Sequence, residues 1–135
     1  MKEFTRPEVL HGYTPKIPTP CGSLYLTLNE FDGKLCEVRA TMGKSGSCYN
    51  IMFQTITLLI SVMLQSGISR NKIQKTLEHQ FEGSCGNIIR YRGEKYHSCI
   101  DYIVTKILED MASRGEITLE EKEPQENKDR LSSPA

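Results

Sequence analysis

MGKSGSCYNIMFQTITLLISVMLQSG, from Met42 to Gly67, is the stretch around which the rest of the chain must fold. It opens on a turn-forming run, Gly43-Lys44-Ser45-Gly46-Ser47, reaches Cys48, and enters the longest apolar segment of the sequence. Polar side chains then recur at Asn50, Gln54, Thr57, Ser61 and Gln65. Steps of three and four trace a single stripe along one edge of a helix. The positions between them are almost all apolar, from Ile51, Met52 and Phe53 through Leu58, Leu59 and Ile60 to Leu64. So narrow a polar stripe predicts a central core helix over residues 48–66, covered on most of its sides. The stripe, and an apolar length near the short limit for crossing, argue against a membrane span. Gly67 supplies the C-terminal stop.

The start of this helix gathers small residues around a cysteine. Backbone N–H groups and the positive end of the helix dipole converge there, a position that favours thiolate. The simpler reading is Ser47 as N-cap and Cys48 as a small buried apolar group. Gly43-Lys44-Ser45 matches the end of a phosphate-binding loop, but Val38 stands where the upstream glycine of that motif belongs, so the motif is excluded.

Upstream, Ser23 to Leu28 alternates with Leu24, Leu26 and Leu28 on one face. Asp32-Gly33 is a hairpin signal. The return strand to Met42 places Cys36, Val38, Ala40 and Met42 inward, which makes Cys36 a core residue. The pair forms a hairpin over 23–42, with an edge strand near 12–17 limited by Pro15 and Pro18. Downstream, Ser69 caps a second helix expected over 70–81. A glycine-rich loop containing Cys85 follows, with a short ribbon near Asn87 to Tyr91. A third helix over 99–114 carries apolar residues from Ile100 to Met111 at helical spacing. Ser98 and Asp101 form a capping box at its start. The expected fold is α+β: a small antiparallel sheet on the central helix and two further helices. The expected organisation is an arm over 1–11, one domain over 12–115 and a charged, disordered tail over 116–135.

The chain has 135 residues and a formal net charge of zero, which excludes the strongly basic footprint of a nucleic-acid binder. No signal-like apolar segment opens it. Five cysteines, an odd number, fit a reducing, cytoplasmic setting with thiols free or bound to metal. Four of them, Cys21, Cys48, Cys85 and Cys99, fall at turns, helix starts or a loop. They are the candidate metal ligands, with Asp101 or His97 nearby and zinc the candidate ion, although no C-x-x-C pair supports it. Lys44, Ser45, Arg90 and Arg92 are candidates for holding a nucleotide or another anion at the helix starts.

Taken in order, RPEVLHGYTPKIPTPCGSLYLTLNE, the hairpin, GKSGSCYN with its apolar helix, SGIS and HSCIDYI resemble the TSCPD domain family over roughly residues 6 to 112. That family is known mainly as the C-terminal domain of adenosylcobalamin-dependent class II ribonucleotide reductases. Its signature, TSCPD, reads His97-Ser98-Cys99-Ile100-Asp101 here, so the serine, cysteine and aspartate persist. The resemblance implies a free-standing relative of the accessory domain of ribonucleoside-diphosphate reductase, a non-catalytic or regulatory module in deoxynucleotide supply. A reductase subunit or a second copy of the chain would be its partner. The barrel, radical cysteine and cobalamin site of a reductase have no counterpart in the sequence. Two other classes remain open: a thiolate protein of zinc or iron–sulfur type, and a non-enzymatic, oligomeric nucleotide binder. Neither a membrane nor a nucleic acid is expected as a partner.

Overall fold

The computed structural model describes residues 4–43, 48–79 and 88–119. Its main sheet is built on the long hairpin of β3 (Gly22–Phe31) and β4 (Lys34–Met42). Asp32 and Gly33 take positive φ, 52° and 77°, as the two central residues of a tight hairpin turn must. On the far side of β3 lie two short strands, β1 (His11–Tyr13) and β2 (Lys16–Thr19), both antiparallel to it. They are one edge strand interrupted at Thr14-Pro15, with the Leu26 N–H still donating to the Pro15 carbonyl. Leu24, Leu26 and Leu28 are buried in alternation, as the pattern predicts. The register shifts at Asn29/Glu30, so that Leu35 and Cys36 are buried together.

Gly12 lies opposite Asn29, beside this irregularity. A Cβ on Gly12 would collide with the Leu28 carbonyl oxygen and the Asn29 side chain, and would lie 2.8 Å from the Asn29 Cα. Only a residue without a side chain lets β1 approach β3 there.

The first helix, α1, spans Cys48–Gln65, followed by α2 (Arg70–Leu77), the ribbon of β5 (Ile89–Tyr91) and β6 (Glu94–Tyr96), and α3 (Cys99–Ser113). α2 ends earlier than expected, with Glu78 as its C-cap. Ser69 accepts from the Lys72 N–H, as its N-cap reading requires. The ribbon turns through Arg92 and Gly93, again at positive φ. The core lies between the inward face of the hairpin and α3, with Phe53, Ile60 and Leu64 of α1 and Ile73 and Leu77 of α2 completing it.

α1 overturns the expectation that it is covered on most sides. Its polar stripe faces inward and much of its apolar surface faces outward: Asn50, Thr57 and Ser61 are buried, whereas Ile51, Met52, Leu58, Leu59 and Val62 are exposed. The reason is the free edge of β4. Alternate residues of that strand point their N–H and C=O groups away from β3, and buried backbone groups need partners. Asn50 Oδ1 accepts from the Met42 N–H at 2.9 Å, Thr57 Oγ1 from Ala40 at 3.2 Å and Ser61 Oγ from Val38 at 2.9 Å. The Gln65 amide donates to the Cys36 carbonyl at 3.1 Å. From Gln65 to Thr57 the contacts move four residues on the helix for every two on the strand. Those steps nearly match, at about 6 Å along a helix and about 6.8 Å along a strand. The stripe therefore substitutes for a fourth strand lane beside β4.

The segment after α3 finishes the same edge. Leu35 donates its N–H to Glu116 Oε2 at 3.1 Å, and its carbonyl accepts from Arg70 at 3.0 Å. Arg70 Nε and Glu116 Oε1 lie 3.0 Å apart as an ion pair, although their alignment makes no hydrogen bond. Ile117 is buried in the core. Residues 116–119, assigned by sequence to the tail, thus pack against the domain.

Candidate functional site

A cleft of about 490 Å³ opens where β1 and β2, the β5–β6 ribbon and α3 meet. Helical spacing brings Tyr102, Lys106, Glu109, Asp110 and Ser113 of α3 to its wall, and the ribbon adds Tyr91, Arg92, Glu94 and Tyr96. Tyr13 and Lys16 close the third side. Tyr96 and Tyr102 meet edge to face with centroids 5.0 Å apart. The Lys106 ammonium lies 5.7 Å from the first ring and 5.8 Å from the second, and pairs with Glu109 at 3.1 Å. Burial pulls the Lys106 pKa down, but its bonds to Glu109 and Tyr96 outweigh that and leave it raised. Burial pushes both tyrosines up.

The floor of the cleft is a polar chain. The Tyr13 hydroxyl donates to Asp110 Oδ1 at 2.5 Å, Arg114 Nε donates to Asp110 Oδ2 at 2.8 Å, and Arg114 also reaches Glu30. Asp110 is thereby buried with a partner on each oxygen, as a buried carboxylate requires. Partial burial and the Asp110 carboxylate push the Tyr13 phenol up to about 12. At neutral pH it is a fixed hydrogen-bond donor that holds β1 to α3. Among the described residues, the cleft lining includes neither cysteine nor histidine. Its chemistry is that of recognition: the half-buried Tyr91 ring stands with the Arg92 guanidinium and the Lys16 and Lys106 ammonium groups, while Tyr96 and Tyr102 are buried in the core, an arrangement suited to a group that carries negative charge.

The residues singled out from sequence are dispersed. Arg92 lines the cleft, its guanidinium 5.2 Å from the centre of the Tyr91 ring, whereas Arg90 is exposed on β5 and absent from the lining. Lys44, Ser45 and Cys85 lie outside the described residues. Cys21 is half-buried against the core, Cys48 is exposed at the start of α1, and Cys36 and Cys99 are buried. Among the described residues, no three His, Cys, Asp or Glu side chains are grouped as a metal site would need. Asp101 is engaged otherwise. Ser98 Oγ accepts from the Asp101 N–H at 3.0 Å, as in a capping box, but the Asp101 carboxylate reaches one residue further back than that motif requires and accepts from the His97 N–H at 2.8 Å.

The sequence reading passed over Tyr13, Tyr96, Tyr102 and Asp110. One signal was present: Asp110 interrupts the apolar run of Ile107, Leu108 and Met111, where an unpaired charge would be costly.

The family model described as the TSCPD domain matches residues 2–112. This chain belongs to the TSCPD domain family. The TSCPD domain is found in ribonucleotide reductases. No curated protein and no solved structure matches the chain. Within this TSCPD domain the signature stretch builds the start of α3. Ser98 and Asp101 cap the helix, and Cys99 is its first, buried residue.

Proposed function

We propose that this TSCPD domain is a non-catalytic accessory module that acts with a ribonucleotide reductase in deoxynucleotide supply. The family match across residues 2–112 carries the reading. The cleft supports a recognition role, since the described residues of its lining are binding groups and include no thiol to form a radical or accept electrons. The test is reconstitution with the ribonucleotide reductase of the same cell. A stable complex, or a reductase whose turnover or nucleotide regulation changes when the chain is added, is the expected result. No complex and no effect at stoichiometric excess would overturn it.

The cleft favours a second, compatible reading, in which it holds a nucleotide. The half-buried Tyr91 ring would take the base, and Arg92 and Lys16 the phosphates. Calorimetric titration with nucleoside di- and triphosphates should then give binding that is weakened about tenfold or more by Arg92→Ala, the scale of one charge-assisted contact. Binding indifferent to Arg92 would place any nucleotide elsewhere.

A further inference from the structure

The outward face of α1 lacks a partner among the described residues. Ile51, Met52, Leu58, Leu59 and Val62 are each at least half exposed, and they lie together because 51, 55, 58 and 62 follow the steps of four, three and four that make a helix seam. Thr55, at the centre, donates its hydroxyl to the Ile51 carbonyl at 2.8 Å, so its one hydrogen is already satisfied within the helix. The opposite face is fixed to β4 through Asn50, Thr57, Ser61 and Gln65, so the helix cannot rotate to hide its apolar side.

We propose that this face is a twofold interface, on which α1 of a second copy of the chain packs. Three observations select that occupant. The first is area: the exposed apolar surface here is on the order of 600 Å² per copy, at the top of the roughly 300–600 Å² that the largest apolar patch of a monomer covers. Paired with itself it would bury on the order of 1,200 Å², past the roughly 1,000 Å² that a specific interface needs. The second is charge. From Cys48 to Gln65 no residue is acidic or basic, so the stripe carries no charge pattern to select a different partner, and it is complementary to itself. The third is the composition of the segments outside the described residues. Residues 1–3, 44–47, 80–87 and 120–135 contain three large apolar side chains between them, Met1, Phe81 and Leu131, too few to cover the stripe.

A lipid surface fits less well. α1 is long and apolar enough to cross a membrane by length and composition. Insertion would strip the β4 edge of its partners, and a helix lying on a membrane normally carries Lys or Arg, of which α1 has none.

Sedimentation equilibrium of the full chain over about 1–100 µM, the range in which interfaces of this size begin to associate, tests the proposal. The expected mass is twice the 15.3 kDa of one chain. The double variant Leu58→Glu/Leu59→Glu should weaken association by at least about 100-fold, as charges placed at the centre of an apolar interface do. Its helical circular dichroism should be unchanged, since both positions are exposed in the single chain. Ser61→Ala, on the inward face, should lower stability while leaving the dimer intact. A monomer at the top of the range, or a dimer that survives the double variant, overturns the proposal. So does flotation of the wild type, but not the variant, with phosphatidylcholine–phosphatidylglycerol vesicles, which would assign the face to membrane.

Discussion

Ser61 and Leu59 stand two positions apart on α1 and face opposite ways. Ser61 is buried, accepting from the Val38 N–H, while Leu59 is 60% exposed. Ser61→Ala leaves a buried strand N–H without its acceptor and should cost about 1–3 kcal/mol. Leu59→Ala should change the stability of the single chain by no more than about 0.5 kcal/mol. Urea unfolding at dilute concentration measures both, and a larger loss at Leu59 would reverse the orientation of the helix. Hydropathy alone gives the opposite ranking, because it treats a serine as a surface group and a leucine as core. What it omits is a strand edge that must be hydrogen-bonded. Tyr13 shows a second residue-scale effect. Its phenol, ordinarily at 10, is pushed up to about 12, so between those pH values the unfolded chain has released a proton that the folded chain keeps. The contribution is intact below pH 10 and is lost as pH rises through 12. Tyr13→Phe should remove the highest-pH component of tyrosinate absorbance and flatten the fall in stability across that window.

At the scale of the elements, the legible features were those governed by neighbours in sequence. Asp32-Gly33 specified its turn, Leu24-Leu26-Leu28 specified the inward face, and Ser69 and Ser98 marked the starts of α2 and α3. The existence of α1 was legible in its spacing, but its orientation was not, since that depends on β4 lying alongside. The ribbon of β5 and β6 extends further than composition suggested, through a turn in which Arg92 as well as Gly93 takes positive φ. Gly12 is a comparable case. The sequence places it on an edge strand without showing why a side chain is excluded there. Gly12→Ala should detach β1 from β3, and amide exchange at residues 11–13 should speed up well before the hairpin is affected. Protection equal to that of the unaltered chain would mean that the two strands can separate enough to admit a methyl group.

For the molecule as a whole, the candidate site was poorly legible because it is assembled from three distant segments. Tyr13 meets Asp110 across 97 positions, and the ribbon that carries Tyr91 and Tyr96 joins them only after folding. The edge of β4 is completed in the same long-range way. α1 serves residues 36 to 42, and the chain must return after α3 for Glu116 to receive the Leu35 N–H and for Ile117 to enter the core. Gln74 on α2 donates to the Thr118 carbonyl at 2.9 Å, fixing the returning segment from its other side. A chain ending at Leu119 retains every contact of the returning segment, and one ending at Gly115 loses those of Glu116, Ile117 and Thr118. The shorter chain loses a buried isoleucine, worth about 1.5–3 kcal/mol, and leaves the Leu35 N–H without an acceptor, worth about 1–3 kcal/mol. It also leaves Arg70 without its carboxylate partner. It should therefore be less stable by about 3–5 kcal/mol, enough to unfold a marginal domain. Thermal unfolding of the two truncated chains side by side measures the difference, and equal midpoints would show that the sheet edge is closed without the returning segment.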